Sequence, residues 1–298
     1  MDGRLRRHNY GFLEVVSPPD VSELTEYYKA KYYQAEHGNY RASYSREELD
    51  AIRLRISLKA QRADELRGCR DVGRLLDVGC GEGFVLDAYS SEGWFVRGID
   101  HSAAGVLRMN KHIADRVDQG DLFTKLEEDI KEAASYDLVW LVNVLEHVTM
   151  PIDLLLHLRR LVATDGLLIV TVPNDGSEYH ELLWELGLIS ERFWIAPPEH
   201  LSYFTSPSLV RSAEETGWKV LDLQGDFPID VFLSHSGSNY VEDKKQGPAA
   251  HAARLNLEKL IGKAGPTAAN AFYSSLASVG LGRNITAYLA PSEKNNKA

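Results

Sequence analysis

Apolar runs and amphipathic stretches alternate along the middle of the chain. Leu75, Leu76 and Val78 form a short apolar run that predicts a strand, and residues 84–91 follow with the apolar spacing of a helix. Because strands that alternate with helices usually pair in parallel, the pattern predicts an α/β protein with an open parallel sheet. Further strands are predicted at 94–99, near 117, at 136–143 and at 166–172.

The regions on either side of this alternation have a different character. The first is rich in tyrosine, and the segment after Asn174 is rich in aromatic residues and proline. The predicted units are an N-terminal helical cover (1–70, with helices at 21–35 and 47–66), a core (71–227) with an aromatic insertion (175–205), a helical insertion (228–283), and a last strand with a polar tail (284–298).

A glycine-rich turn joins the first predicted strand to the first helix. Asp77 lies in the strand, and Gly79, Gly81 and Gly83 occupy alternate positions after it. Glycines let a ligand approach the backbone, and the helix that begins here favours an anionic or polar group. A dinucleotide-binding turn would need another glycine at position 84, where the chain has Phe84. The turn therefore predicts a nucleotide-type site and argues against NAD.

Polar residues also end the next predicted strands. Asp100 follows the second strand, Asp121 the third and Asn143 the fourth. Because the carboxyl ends of parallel strands meet at one edge of the sheet, we expect these side chains to lie near Asp77. An aspartate after a strand can also cap the following helix, and capping remains the alternative for Asp100 and Asp121.

Composition and charge narrow the class of protein. The chain has 298 residues, of which 44% are hydrophobic and 26% charged, as in ordinary globular proteins. Its net charge of −10 argues against nucleic acid or an anionic membrane as the main partner. Cys69 and Cys80 lack zinc-type spacing, and we expect no metal site. With no apolar run long enough to span a bilayer, we expect a cytoplasmic protein; a homodimer is one option for its assembly.

Several motifs resemble one enzyme family. The turn Asp77-Val78-Gly79-Cys80-Gly81-Glu82-Gly83 resembles motif I of the class I S-adenosylmethionine-dependent methyltransferases. Other segments are similar to the small-molecule subgroup that contains quinone-biosynthesis O-methyltransferases and bacterial sugar and natural-product methyltransferases. They are Val144-Leu145-Glu146-His147-Val148, Val172-Pro173-Asn174 and Glu199-His200-Leu201-Ser202-Tyr203-Phe204-Thr205.

The resemblance covers about 73–223, and it implies both a fold and a cofactor. The implied fold is a Rossmann-like, doubly wound, mostly parallel seven-stranded sheet that ends in an antiparallel hairpin, here at 218–226 and 284–290. The implied cofactor is S-adenosyl-L-methionine, with Asp77 near its amine, Asp100 on the ribose and Asp121 near the adenine. The implied cofactor-binding residues are Asp77, Gly79, Cys80, Gly81, Gly83, Asp100, His101, Asp121, Leu122, Asn143 and Val144.

Two histidines are candidates for a base that removes a proton from the methyl acceptor. His147 follows the fourth strand, and its alternative role is to order Glu146 and the loop. His200 lies in the aromatic insertion, which we expect to cover the acceptor, and its alternative role is packing within that loop. We favour His200 because acceptor contacts belong to the insertion.

Aromatic side chains are expected to form the wall of the acceptor site. Such a wall suits sugar rings and planar phenols equally, so it does not choose between them. Core packing is the alternative for Trp184 and Phe193. The predicted acceptor-binding residues are Tyr33 and Tyr44 of the cover and Tyr179, Trp194 and Tyr203 of the insertion.

Together these features predict a methyltransferase that acts on a hydroxyl or amine of a small molecule. A sugar or sugar nucleotide of surface-polysaccharide or secondary metabolism is the preferred acceptor, and a phenol or quinone precursor is the alternative. A non-catalytic cofactor-binding subunit is an alternative of another class. The presence of Asp77, Gly79, Gly81, Asp100 and Asp121 together disfavours it.

Overall fold

A computed structural model of the chain describes residues 2–19, 23–24, 27 and 43–292. Tyr33, most of the helix predicted at 21–35 and the end of the polar tail lie outside these residues. The described strands are β1 (Leu5–Arg7), β2 (Leu13–Val15), β3 (Arg74–Val78), β4 (Phe95–Asp100), β5 (Val117–Gln119), β6 (Tyr136–Val142), β7 (Val162–Pro173), β8 (Ser202–Tyr203), β9 (Trp218–Gly225) and β10 (Asn284–Pro291).

The helices complete the alternation that the apolar pattern predicts. Short 3-10 helices accompany them at Lys111–Arg116, Ile229–Ser234 and Lys244–Gln246. The described α-helices are α1 (Arg46–Arg67), α2 (Phe84–Ser91), α3 (Ala104–Met109), α4 (Leu122–Lys131), α5 (Pro151–Leu161), α6 (Glu178–Glu185), α7 (Ser206–Glu215), α8 (Gly247–Lys263) and α9 (Pro266–Ser278).

The main sheet has seven strands in the order β5-β4-β3-β6-β7-β10-β9. Strands β3 to β7 run parallel, and β10 is antiparallel to its neighbours β7 and β9. This confirms the predicted doubly wound, mostly parallel sheet and the antiparallel hairpin of its last two strands. Helices α8 and α9 lie in the connection between β9 and β10, within the segment predicted as a helical insertion.

Strand β3 shows how the sequence divides the core between the two faces of the sheet. Successive side chains of a strand point to opposite faces, so Leu75 and Leu76 enter different clusters. Leu76 packs with side chains of α4, α5 and α7, whereas Leu75 packs with side chains of α1, α2 and α3. Both leucines are fully buried, which explains the continuous apolar run of this strand.

Helix α1 lies on the face of the sheet that also carries α8 and α9. It begins with a capping box, in which Ser45 Oγ accepts from Glu48 N at 3.2 Å and Glu48 Oε2 accepts from Ser45 N at 2.9 Å. Gly68, with φ 71°, ends the helix. Helix α1 contacts β7, α8 and α9, and this contact brings its polar side chains close to the sheet.

The first residues of the chain form strands rather than helix. Strands β1, β2 and β8 make a separate antiparallel sheet, in which Leu13 pairs with Tyr203. The segment 1–70, for which the sequence predicts a helical cover, therefore begins with two strands that the sequence pattern does not predict. Strands of three residues carry almost no periodicity, and the strand they join lies in the distant aromatic insertion.

Candidate functional site

The glycine turn lies at the carboxyl end of β3 and is held against the end of β4. Gly79 N and Cys80 N donate to Ile99 O at 2.8 and 3.2 Å. Gly79, Gly81 and Gly83 have φ values of 72°, 53° and 75°. A Cβ added at Gly79 would lie 2.3 Å from Val144 Cγ2. Left-handed backbone and close approach therefore both require glycine at position 79.

Asp100 ties the turn to the end of β4. Its Oδ2 accepts from Gly81 N at 2.8 Å, and its Oδ1 accepts from Ser102 N at 2.9 Å. Burial raises the pKa of this carboxyl above its ordinary value. Each oxygen keeps a second lone pair, so ribose hydroxyls can still bind. The contacts of Asp100 and of the exposed His101 with a cofactor stay predictions.

Asp121 occupies the N-cap position of α4. Its Oδ1 accepts hydrogen bonds from Thr124 N and Thr124 Oγ1, both at 2.8 Å. The capping role that the sequence left as an alternative is therefore present. The side chain of Leu122 is buried in the core, and an adenine contact of this pair stays a prediction.

A cavity of about 450 Å³ opens beside the glycine turn, between α1 and the sheet. Asp77, Gly79, Cys80 and Asn143 line one part of it, so the structure brings these predicted residues together. Asn143 has φ 54°, and its N donates to Thr171 O at 2.9 Å, which holds the loop after β6 against β7. The cavity continues across the sheet to α8 and α9, and its volume suits a small-molecule ligand.

Asp77 is nearly enclosed, with 4% of its surface exposed. Burial and the neighbouring charge of Asp100 raise the pKa of Asp77 to about 8. The carboxyl is therefore largely protonated at neutral pH. A cationic group placed beside it would favour its ionised form.

Lys59 of α1 is a cavity residue that the sequence pattern does not single out. Its Nζ donates to Thr171 Oγ1 at 2.9 Å, and that hydroxyl lies 2.9 Å from Thr286 Oγ1. Among the described residues no carboxylate lies within ion-pair distance of Lys59. Burial lowers its pKa to about 8. In sequence Lys59 resembles any exposed cation of a helix, and only the packing of α1 on the sheet turns it inward.

These residues fit the methionine part of the cofactor that the resemblance implies. The turn leaves a cradle that a Cβ at position 79 would fill. Asp77 offers a carboxyl to an ammonium group, and Lys59 offers an unmatched cation to a carboxylate. A zwitterion needs a partner for each of its two charged groups, and the cavity has Asp77 and Lys59 on its lining.

His147 and His200 lie next to each other, with ring centroids 5.1 Å apart. His200 Nδ1 lies 2.8 Å from Asp175 Oδ2, and Arg283 donates to Asp175 Oδ1 at 2.9 Å. Although burial acts to raise it, the hydrogen bond from His200 and the charge of Arg283 hold the pKa of Asp175 below its ordinary value. The ionised Asp175 makes Nδ1 the donor of His200 and leaves Nε2 to act as a base.

Neither histidine lines the cavity, but both adjoin the loop that begins at Asn143. His147 Nδ1 lies 2.6 Å from Glu199 O, which joins this loop to the aromatic insertion. The structure therefore brings the two predicted catalytic residues together, beside the donor end rather than within it.

Glu146 adds an unusual carboxyl to the histidine pair. It is 1% exposed, and neither of its side-chain oxygens has a hydrogen-bond partner among the residues that the structure describes. Burial raises its pKa to about 8. Glu146, His147 and His200 offer ligand atoms that all lie within 4.8 Å of one another, so together they can hold a divalent cation.

The aromatic residues predicted to wall the acceptor separate into two places. Tyr44 lies beside the glycine turn, where its hydroxyl donates to Glu82 Oε2 at 2.8 Å. Trp194 and Tyr203 are buried, and they pack with Tyr179 in the core of the small sheet. Those three side chains are not among the cavity-lining residues, and their contact with an acceptor stays a prediction.

Comparison with known proteins gives one family and several relatives. The model of a family described as a methyltransferase domain matches residues 37–223. The chain is 28% identical over 213 residues to the ubiquinone biosynthesis O-methyltransferase of Pasteurella multocida (strain Pm70), which covers 63% of this chain and 83% of that protein. It is also 28% identical over 152 residues to the protein of the same name from Maricaulis maris (strain MCS10).

The Maricaulis match covers 48% of this chain and spans 58% of the length of that relative. Among solved structures, the chain is similar to a SAM dependent methyltransferase from Archaeoglobus fulgidus. The TM-score is 0.49 and the identity 19%, with 91% of this chain and 99% of that chain covered.

No helix in the part of the chain that the structure describes is long and apolar enough to cross a membrane.

Proposed function

Since this chain belongs to the methyltransferase domain family, we propose that it methylates a hydroxyl or amine of a polar small molecule, in the first place a sugar or sugar nucleotide. Its enzymatic class is S-adenosylmethionine-dependent methyl transfer. The observation that carries the choice of a polar acceptor is the character of the cavity beyond the donor end. Gln224, Asp226, Asn270 and Asn284 line it with amide and carboxylate groups.

Amides and carboxylates of this kind suit a ligand with several hydroxyls, because each hydroxyl both donates and accepts. Asn270 Nδ2 donates to Leu58 O at 3.2 Å, and Asn284 Nδ2 donates to Asp226 Oδ2 at 2.6 Å. These bonds hold the two amides in defined orientations. An apolar ring with a hydrocarbon tail would leave the remaining donors and acceptors of these groups without partners, at a cost of about 1–3 kcal/mol for each buried group.

At the donor end we propose roles for residues that line the cavity and for residues at the ends of the neighbouring strands. S-adenosylmethionine supplies a methyl group already activated by its sulfonium. Asp77 holds the amine, Lys59 the carboxylate, and the backbone of the glycine turn lies against the methionine part. Asp100 binds the ribose, and Asp121 with Leu122 lies at the adenine.

For the acceptor, the protein's main task is alignment of its hydroxyl with the methyl group. His200 Nε2 takes the proton of the acceptor hydroxyl, while Asp175 holds the ring through Nδ1 and stabilises the imidazolium that results. Arg283 holds Asp175 in place. Asp175 and Arg283 are therefore positioning residues for His200.

Calorimetry with S-adenosylhomocysteine and with NAD tests the donor site without any acceptor. We expect binding of the first and none of the second, and the reverse result would contradict the proposal. Transfer of radiolabelled methyl from S-adenosylmethionine is then measured on free sugars, on sugar nucleotides and on catechols. Turnover that is confined to catechols would reject the sugar proposal and keep the methyltransferase.

The second candidate function is methylation of a phenol or quinone precursor. The names of the relatives from Pasteurella multocida and Maricaulis maris favour it, since both are called ubiquinone biosynthesis O-methyltransferases. The same acceptor panel separates the two candidates, because a catechol and a hexose differ in shape and in the number of their hydroxyls.

A further inference from the structure

The far end of the cavity contains a group of charged side chains that the donor site does not use. Arg55 of α1 and Arg254 and Glu258 of α8 all line the cavity. Arg254 and Glu258 lie four residues apart, on the same face of α8. That face is turned toward α1, since His251 Nε2, one turn earlier, lies 3.1 Å from Glu48 Oε1.

The two arginines are only loosely paired with Glu258. Arg55 NH1 lies 3.5 Å from either oxygen of Glu258, and Arg254 Nε lies 3.7 Å from its Oε1. Charge-assisted hydrogen bonds between these groups are usually about 2.7–2.9 Å long. These contacts are therefore long: Arg55 donates to Glu258 from one terminal nitrogen only, and Arg254 meets Glu258 as an ion pair without a hydrogen bond from its Nε.

Arg254 shows more clearly than Arg55 that hydrogen-bond donors of this pair are unused. Its side chain is 23% exposed, and its Nε is buried without a hydrogen-bond partner among the described residues. A guanidinium carries five N–H donors in a planar fork. Buried donors of this kind almost always have a partner, so a guanidinium that borders a cavity with its donors unused points to a ligand.

The local charge favours an anion as that ligand. Arg55, Arg254 and Lys59 are three cations on the lining of this part of the cavity, against the two carboxylates of Glu258 and Asp226, so the cations exceed the carboxylates by one. The other carboxylate at this end, Asp226, already accepts from Asn284 N at 2.8 Å and from Asn284 Nδ2 at 2.6 Å. Arginine forks match the two oxygens of a carboxylate or phosphate, and a pair of such bonds gives both strength and orientation.

We propose that Arg254, assisted by Arg55, binds an anionic group of the methyl acceptor, so that the enzyme prefers acceptors with a carboxylate or phosphate. This inference rests on the proposed function, because it places the acceptor in the far part of the same cavity. Helix α8 then supplies the selectivity of the enzyme, and Glu258 keeps the two guanidinium groups apart and oriented when no acceptor is bound. A sugar acid and a sugar phosphate both satisfy this chemistry.

The test uses pairs of probes that differ only in charge. The full chain is saturated with S-adenosylhomocysteine, and calorimetry measures the binding of glucuronate and glucose 6-phosphate against glucose. A phenolic pair, 3,4-dihydroxybenzoate against 3,4-dihydroxybenzyl alcohol, covers the second candidate function. We expect at least one anionic probe to bind about 10- to 100-fold more tightly than its neutral partner.

Two variants should then move this preference in opposite directions. Arg254→Gln should remove most of it and leave the neutral probes within about twofold, whereas Glu258→Gln should increase the affinity of the anionic probes a few-fold. Lys259→Gln is the matched control, because Lys259 is an exposed cation on the same helix. A variant that merely damaged the fold would weaken both members of each pair equally.

The outcomes separate this inference from the proposed function. If no anionic probe binds more tightly than its neutral partner, or if Arg254→Gln keeps the preference, the anion site does not exist. Methyl transfer to neutral acceptors would then still support the proposed function. Failure of S-adenosylhomocysteine to bind the wild-type chain would instead reject the donor site and, with it, the proposed function.

Discussion

The two ends of the cavity are built in different ways. At the donor end, the backbone of a continuous segment, from Asp77 to Gly83, creates the shape. Its N–H groups donate hydrogen bonds to Ile99 O and to the Asp100 carboxylate. At the far end, side chains from α1, α8, α9 and the ends of β9 and β10 meet across large separations in sequence. A site made of backbone requires particular conformations, whereas a site made of side chains requires only that distant elements pack together. The donor end is therefore constrained as a unit, and the far end is adjustable one residue at a time.

Substitution of His200, which lies beside the donor end, should have the largest effect. His200→Ala should lower turnover about 100-fold or more, since general base catalysis contributes on that scale, while affinity for S-adenosylhomocysteine stays within twofold. Steady-state kinetics and calorimetry measure the two quantities. His112→Ala, at an exposed histidine, serves as control. If turnover of His200→Ala is unchanged, His200 is not the base.

A substitution in the backbone-built end should abolish cofactor binding. In Gly79→Ala, the new methyl group meets Val144 at 2.3 Å in a left-handed conformation, so affinity for S-adenosylhomocysteine should fall at least about 100-fold. Calorimetry measures the affinity, and thermal unfolding monitors the fold.

Gly93→Ala is the control for that experiment, because Gly93 has φ 89° but open space around it. Equal loss of binding in both variants would mean that backbone strain, and not close approach at the turn, accounts for the effect. Adding Val144→Ala to Gly79→Ala removes the neighbour and should recover part of the binding if the close contact is the cause.

Substitution of Lys59, whose side chain faces the cavity, should weaken cofactor binding less than the change at Gly79. Lys59→Met removes the proposed partner of the cofactor carboxylate, and we expect about a 10-fold loss of affinity for S-adenosylhomocysteine. Arg53→Met removes an exposed cation from the same helix and should leave affinity unchanged. If the two variants behave alike, Lys59 contacts no ligand at the donor end.

The smallest effect should be a dependence on pH. Because the pKa of Asp77 in the folded chain is about 8, above its ordinary 3.8, the folded state holds a proton that the unfolded state releases. This group therefore lowers stability as pH rises from about 4 to 8. In the folded chain the carboxyl ionises as pH approaches 8, and its ionised form favours the cofactor amine. Wild-type affinity for S-adenosylhomocysteine should rise about 10-fold from pH 6 to 7.5, and Asp77→Asn should flatten the profile. A flat wild-type profile would contradict this role of Asp77.

The sequence predicts the local elements around the glycine turn, and it does not predict the side chains that distant elements bring to the cavity, for one physical reason. The strand, the glycine turn and the helix after it are adjacent in sequence, so the residues from Asp77 to Gly79 and their close neighbours are enough to predict the conformation there. Lys59, Arg254 and Glu258 acquire meaning only when α1 and α8 pack against each other and the sheet. Trp194 and Tyr203 show the same limit: the sequence presents them as candidates for a ligand wall, and only the structure shows that they pack with residues of β1 and β2 in a small core.

Helices α8 and α9 leave and rejoin the sheet between strands that are direct neighbours, with Gly225 paired to Ile285. A segment whose two ends already meet can be replaced by another of different length without moving either strand. The stretch that carries α8 and α9 can therefore be exchanged by recombination or in the laboratory, provided that Arg283, which holds Asp175, is kept. A protein with this architecture can change which acceptors it binds while the residues that bind the methyl donor stay the same.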